Sequence, residues 1–100
     1  MDERRQRQSA RAFFCNEVEV VGYGPHRSSD LSVGGMFLES ISGYPIGTEL
    51  ELRFKLKEDD PAPIHVRARV LYSAKGFGVG VEFLDTAPED RERIAKLIEA

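Results

Sequence analysis

The chain has 100 residues, 41% of them hydrophobic and 31% charged, with a formal net charge of −3 and one cysteine. That length supports a single hydrophobic core, and the composition excludes wholesale disorder. The acidic balance argues against a general nucleic-acid binder, and the lone Cys15 excludes an internal disulfide.

Residues 1 to 12 are polar and carry Arg4, Arg5, Arg7 and Arg11, four of the ten arginines. They read as a flexible arm, since such a segment buries too little apolar surface to fold alone. No apolar stretch follows them as a secretory signal requires, and no run is long enough to cross a membrane. A cytoplasmic location is expected. From Phe13 to about Tyr23, the β-branched and aromatic content of FFCNEVEVVGY predicts a strand. Gly24-Pro25-His26 is a turn signal. A second extended stretch, from about Arg27 to Ser40, is interrupted by Gly34-Gly35, which suggests a bulge or a close backbone approach.

Ser42, Gly43, Pro45 and Gly47 mark a loop. In residues 48 to 56, Leu50, Leu52, Phe54 and Leu56 alternate with Glu49, Glu51, Arg53 and Lys55, so one strand face is apolar and the other charged. Glu58, Asp59 and Asp60 before Pro61 read as a solvated turn. Residues 64 to 72 alternate again, with Ile64, Val66, Ala68 and Val70 opposite His65, Arg67 and Arg69. Phe77, Val79, Val81 and Phe83 define another one-sided strand, with Gly78 and Gly80 on its other face. The period then changes. Thr86 and Glu89 have capping-box spacing around Pro88, and Ile94, Leu97 and Ile98 form an apolar stripe. This predicts a helix over about 87–99, supported by Glu89–Arg93 and Glu92–Lys96 pairs. It is short enough to require docking on the sheet. The expected fold is all-β with one C-terminal helix: a small antiparallel six-stranded barrel over residues 13–100, closed so that no strand edge is exposed.

Several residues offer chemistry. Each arginine of the arm presents a planar fork that matches phosphate, pairs with guanine O6 and N7, or stacks on a base. Alone, the arm also reads as a solvated tail. In DLSVGG, residues 30 to 35, Asp30 and Ser32 are two apart and share a strand face. A carboxylate there accepts from guanine's N1–H and N2–H2 donors, and a hydroxyl adds a donor or acceptor. Gly35 permits a close backbone approach. Alone, this cluster also reads as a strand-entry turn.

Other candidates carry less. GFGVG, residues 76 to 80, sits in a strand pattern and lacks the strand-to-helix setting of a dinucleotide loop. Gly78 and Gly80 instead let the helix or a ligand lie close to the barrel. His26, His65 and Cys15 lack metal-ligand spacing, so no metal is expected, and Cys15 reads as a small buried hydrophobe. No paired acid and base suggests an enzyme.

Taken together, Arg7-x-x-x-Arg11, then Asp30-x-Ser32-x-x-Gly35, then Val79-Gly80-Val81-Glu82-Phe83 and a terminal helix resemble a PilZ domain over essentially the whole chain. The resemblance implies a bacterial receptor for cyclic di-GMP, a second messenger with two guanines and two phosphates. It assigns Arg7 and Arg11 to phosphates and guanine faces, and Asp30, Ser32 and Gly35 to the guanine side. Arg4, Arg5, Gly34 and Gly80 are further candidates. No other cofactor is implied. The arm is expected to order around the ligand, at a backbone-entropy cost of about 10 kcal/mol for ten residues. The altered surface would then engage a downstream protein partner. Two other readings stay open: an adaptor working only through protein contacts, and a single-stranded nucleic-acid module using Arg67 and Arg69.

Overall fold

The computed structural model describes residues 12–40 and 43–99, and for residues 12–15 it describes the backbone. Six strands and one helix follow in chain order: β1 (Ala12–Val20), β2 (Gly24–Ser32), β3 (Gly35–Glu39), β4 (Glu49–Phe54), β5 (Ile64–Ala74), β6 (Gly78–Phe83) and α1 (Pro88–Glu99). The strands close into an antiparallel barrel in the order β1-β2-β3-β6-β5-β4, with β4 returning to β1. The arm proposed from the sequence, with Arg4, Arg5, Arg7 and Arg11, lies outside the described residues.

Alternation decides which face of each strand is buried. Leu50, Leu52 and Phe54 of β4 and Ile64, Val66, Ala68 and Val70 of β5 all point into the barrel. Val18 and Val20 of β1, Leu31 of β2, and Met36 and Leu38 of β3 complete most of the core, each fully buried. A fully buried side chain of this size contributes about 1.5–3 kcal/mol. Residues 24–40 form two strands rather than one interrupted stretch. Gly34 lies in the tight turn between β2 and β3, and its carbonyl accepts the Phe83 N–H at 2.8 Å. Of the two outcomes expected at the glycine pair, Gly35 shows the close backbone approach, while the bulge lies earlier, at Ser29, where the β2–β3 register shifts between Ser28 and Asp30. Ser28 therefore points inward, fully buried, and its hydroxyl donates to the Asp30 carbonyl at 2.8 Å.

The expectations for Phe77 and for the helix cap need correction. Phe77 lies in the turn before β6 and is 73% exposed, so it is not a core residue of that strand. At the helix start, the Ala87 carbonyl accepts the N–H groups of Asp90 and Arg91, which makes Ala87 the cap and Pro88 the first helical residue. The Thr86–Glu89 spacing misses this cap by one position. Ile94 is fully buried, and Leu97 and Ile98 pack beside it against the barrel core.

The helix is held further by Arg93. Its guanidinium donates to Asp60 at 2.5 Å, to the Ala62 carbonyl at 2.8 Å and to Asp90 at 2.9 Å. Arg93 thus pairs with Asp60 and Asp90 rather than Glu89. Asp60 is an anchor for the helix, not part of a solvated run; its side chain is 16% exposed. Desolvation works to raise its pKa, but donors from Ala62, Arg93 and Leu56 outweigh that and hold the carboxyl below its ordinary value.

Candidate functional site

Strands β2, β3 and β6 bring the sequence-predicted residues of the barrel to one outer face. Across the sheet, Asp30, Phe37, Gly80 and Tyr72 form one row of paired residues. Ser32, Gly35, Glu82 and Arg69 form a neighbouring row. Both rows face outward, because Leu31, Met36, Val81 and Val70 between them point into the core.

A hollow of about 140 Å³ opens on this face. Ser32, Gly34, Gly35 and Gly80 line it together, with Leu71, Tyr72 and Glu82 on the far side. The glycines are required by close approach. A Cβ on Gly35 would lie 2.1 Å from the Val81 carbonyl oxygen, so no other residue lets β3 lie this close to β6 there. A Cβ on Gly80 would lie 2.2 Å from the Tyr72 ring, which rests over the glycine as one wall of the hollow. Phe37 flanks the same strand, its ring centroid 6.4 Å from that of Tyr72 and inclined by 30°.

The polar groups have defined partners. Ser32 Oγ donates to the Gly35 carbonyl at 3.2 Å, which fixes the β2–β3 turn. Asp30 Oδ1 accepts the Phe37 N–H at 3.0 Å, across the bulge at Ser29. Asp30 shares the outer face with Ser32 but does not line the hollow. The strand β1 begins beside these residues, with Ala12 paired to Leu31 and Phe13 to Asp30. The strand β1 therefore enters the barrel beside the site.

Sequence patterning missed Tyr72. The register of β5 against β6 shifts between Val70 and Tyr72, so the extra residue Leu71 turns Tyr72 outward, where it is 51% exposed. Simple alternation from Val70 would have placed it inside, and no local residue announces the bulge. Glu82 was also missed as a site residue; its only signal was its place beside Gly80 in the strand.

Among the described residues, the larger grooves do not contain the motif. One of about 550 Å³ lies where β1 and β4 part, lined by Asn16, Glu17, Arg53 and Lys55. Asn16 bridges that seam by donating to the Lys55 carbonyl at 3.1 Å. It shares no residue with the hollow, and its lining lacks the convergent glycine, hydroxyl and ring arrangement that makes a binding site specific.

The outer faces of β4 and β5 are different again. Arg67 pairs with Glu49 at 3.2 Å and with Asp85 at 3.1 Å, and Arg69 lies 3.5 Å from Glu49 and 3.7 Å from Glu82. Hydrogen bonds from the Arg67 backbone and side chain hold the Asp85 carboxyl below its ordinary value. Arg67 and Arg69 thus each stand against carboxylates, which tells against a basic groove on these strands of the kind a nucleic-acid module uses. Among the described residues, no group of His, Cys, Asp and Glu side chains could hold a metal, and no helix is long and apolar enough to cross a membrane.

Comparisons with known proteins agree with the barrel fold. The family model described as PilZ domain matches residues 5–100. No curated protein matches the sequence significantly. Among solved structures, the chain is similar to MotI/DgrA, the inhibitor of motility of Bacillus subtilis, with a TM-score of 0.79 at 19% identity, covering 94% of this chain and 49% of that one. It is similar to the PlzA protein of Borreliella burgdorferi, solved in complex with c-di-GMP, with a TM-score of 0.60 at 17% identity, covering 98% and 38% respectively. The PilZ domain of CeSA from a cellulose-synthesizing bacterium gives a TM-score of 0.60 at 20% identity, covering 91% of this chain and 96% of that one. The chain therefore spans about half of MotI/DgrA and 38% of PlzA.

Proposed function

The chain belongs to the PilZ domain family, whose members are receptor and adaptor domains, and from that premise we propose that it is a cytoplasmic receptor for cyclic di-GMP. One observation carries the reading. Ser32, Gly34, Gly35 and Gly80 line one hollow, and β1 begins beside it with Phe13 paired to Asp30. A guanine lies in the hollow against Ser32 and the glycine backbone, with the Tyr72 ring as an apolar wall. Asp30 holds the β2 side of the base. Arg7 and Arg11 reach the two phosphates and the exposed guanine edges, with Arg4 and Arg5 as further contacts.

The anionic phosphates supply what a run of arginines lacks alone. Two charge-assisted forks, each contributing about 1.5–3 kcal/mol per hydrogen bond, offset the entropy of ordering the segment. Ligand binding then changes the surface around the hollow. Leu71 and Phe77 on the β5–β6 hairpin are 48% and 73% exposed and would form part of the face presented to a protein partner.

Isothermal titration calorimetry with cyclic di-GMP tests the proposal. Wild type binds stoichiometrically; Arg7→Ala weakens binding by about a hundredfold or more, and Asp30→Ala also weakens it. A wild-type protein that ignores the ligand at high concentration would instead be an adaptor acting by protein contacts. Preferential binding of an oligonucleotide, with a steep salt dependence, would favour the nucleic-acid reading.

A further inference from the structure

We propose that Glu82 is the residue that selects guanine in the hollow, its carboxylate accepting the N1–H and N2–H2 donors of one base. The inference rests on the cyclic di-GMP reading and adds the group that sets base specificity. Glu82 is paired with Gly35, so its side chain emerges on the outer face beside the β2–β3 turn. Among the described residues it is the one charged side chain lining the hollow.

Its surroundings leave it able to accept. Among the described residues its ionic partner is Arg69 at 3.7 Å, beyond hydrogen-bond length. Arg69 is itself drawn toward Glu49 at 3.5 Å. The charge of Glu82 is therefore offset while its oxygens keep their acceptor capacity. Asp30 differs, since its Oδ1 takes the Phe37 N–H and secures the bulge. A carboxylate accepts two parallel N–H donors side by side. Guanine presents such a pair on one edge. Hypoxanthine keeps N1–H but lacks the amino group, and adenine lacks N1–H. A site built to bind a donor rejects the analogue that lacks it, because the acceptor is left unpaired.

The full chain is titrated with cyclic di-GMP and with its hypoxanthine analogue, cyclic di-IMP, as wild type, Glu82→Gln and Glu82→Ala. Wild type should favour the guanine ligand by about tenfold or more. Glu82→Ala should lower affinity for cyclic di-GMP and bring the ratio of the two affinities close to one, with Glu82→Gln between. A role in folding or in general repulsion of phosphate would move both affinities together and leave the ratio unchanged. An unchanged ratio in both variants overturns the inference, as does a wild type that does not distinguish the ligands. Wild type binding neither dinucleotide would instead bring down the receptor reading, and this inference with it.

Discussion

The two outer faces of this barrel are made from adjacent strands yet are chemically opposed. On β4 and β5, arginines and carboxylates stand opposite one another, Arg53 with Glu19 of β1 and Arg67 with Glu49 and Asp85, while His65 hydrogen-bonds Glu51. Each charge there finds its partner within the barrel. Around the hollow on β3 and β6, the outward positions are Gly35, Gly80, Phe37 and the weakly held Glu82, with Tyr72 of β5 leaning over Gly80. Where arginines and carboxylates stand opposite one another, the outer face supplies its own partners; where side chains are missing, backbone and rings frame a hollow. Arg53, Arg67 and Arg69 are engaged by carboxylates of the chain itself, which is why the proposed ligand contacts are assigned to the N-terminal arginines.

The largest effect that sharpens this contrast is expected at Gly35. Its absent Cβ faces a backbone carbonyl, which cannot swing aside, so Gly35→Ala should destabilise the fold by about 3 kcal/mol. Thermal denaturation would show a fall in Tm of roughly 10–20 °C, and an unchanged Tm would mean that β3 and β6 can part without penalty. Gly80→Ala meets a movable ring instead. Its stability cost should stay under about 1 kcal/mol, while the displaced Tyr72 lowers cyclic di-GMP affinity by about tenfold, a difference calorimetry and denaturation together resolve. The smallest effect belongs to the charged face. Asp85→Asn should cost under about 1 kcal/mol at neutral pH, as expected for an exposed pair.

The same substitution has a signature in acid. The Asp85 carboxyl is held below the ordinary aspartate value of about 3.9 in the folded chain, chiefly by the Arg67 backbone N–H. Its ionised form therefore favours folding above that pH, and the contribution is lost as pH falls through the lower folded value. Asp85→Asn should flatten the decline of unfolding free energy below about pH 4, measured by denaturant titration across pH.

The barrel was legible because alternation is a local property: Leu50, Leu52 and Phe54 against Glu49, Glu51 and Arg53 state a period of two without reference to any other strand. The terminal helix was legible from the stripe of Ile94, Leu97 and Ile98. Its anchor was not, since Arg93 reaches Asp60 from 33 positions away. The motif pair Arg7/Arg11 and Asp30/Ser32/Gly35 directed attention to the site, although the arginines lie outside the described residues. Tyr72 could not be placed, because one added residue, Leu71, reverses a strand's facing and leaves no mark in composition.

Sequence alone determined the class of fold, the inward face of most strands and the shared strand face of Asp30 and Ser32, since these follow from spacing along one chain. Tertiary structure alone decided that Gly80 lies beneath a tyrosine, that Asp30 secures a bulge and that Glu82 stands in the hollow. Those facts depend on register between strands, and register is set by how the whole barrel closes.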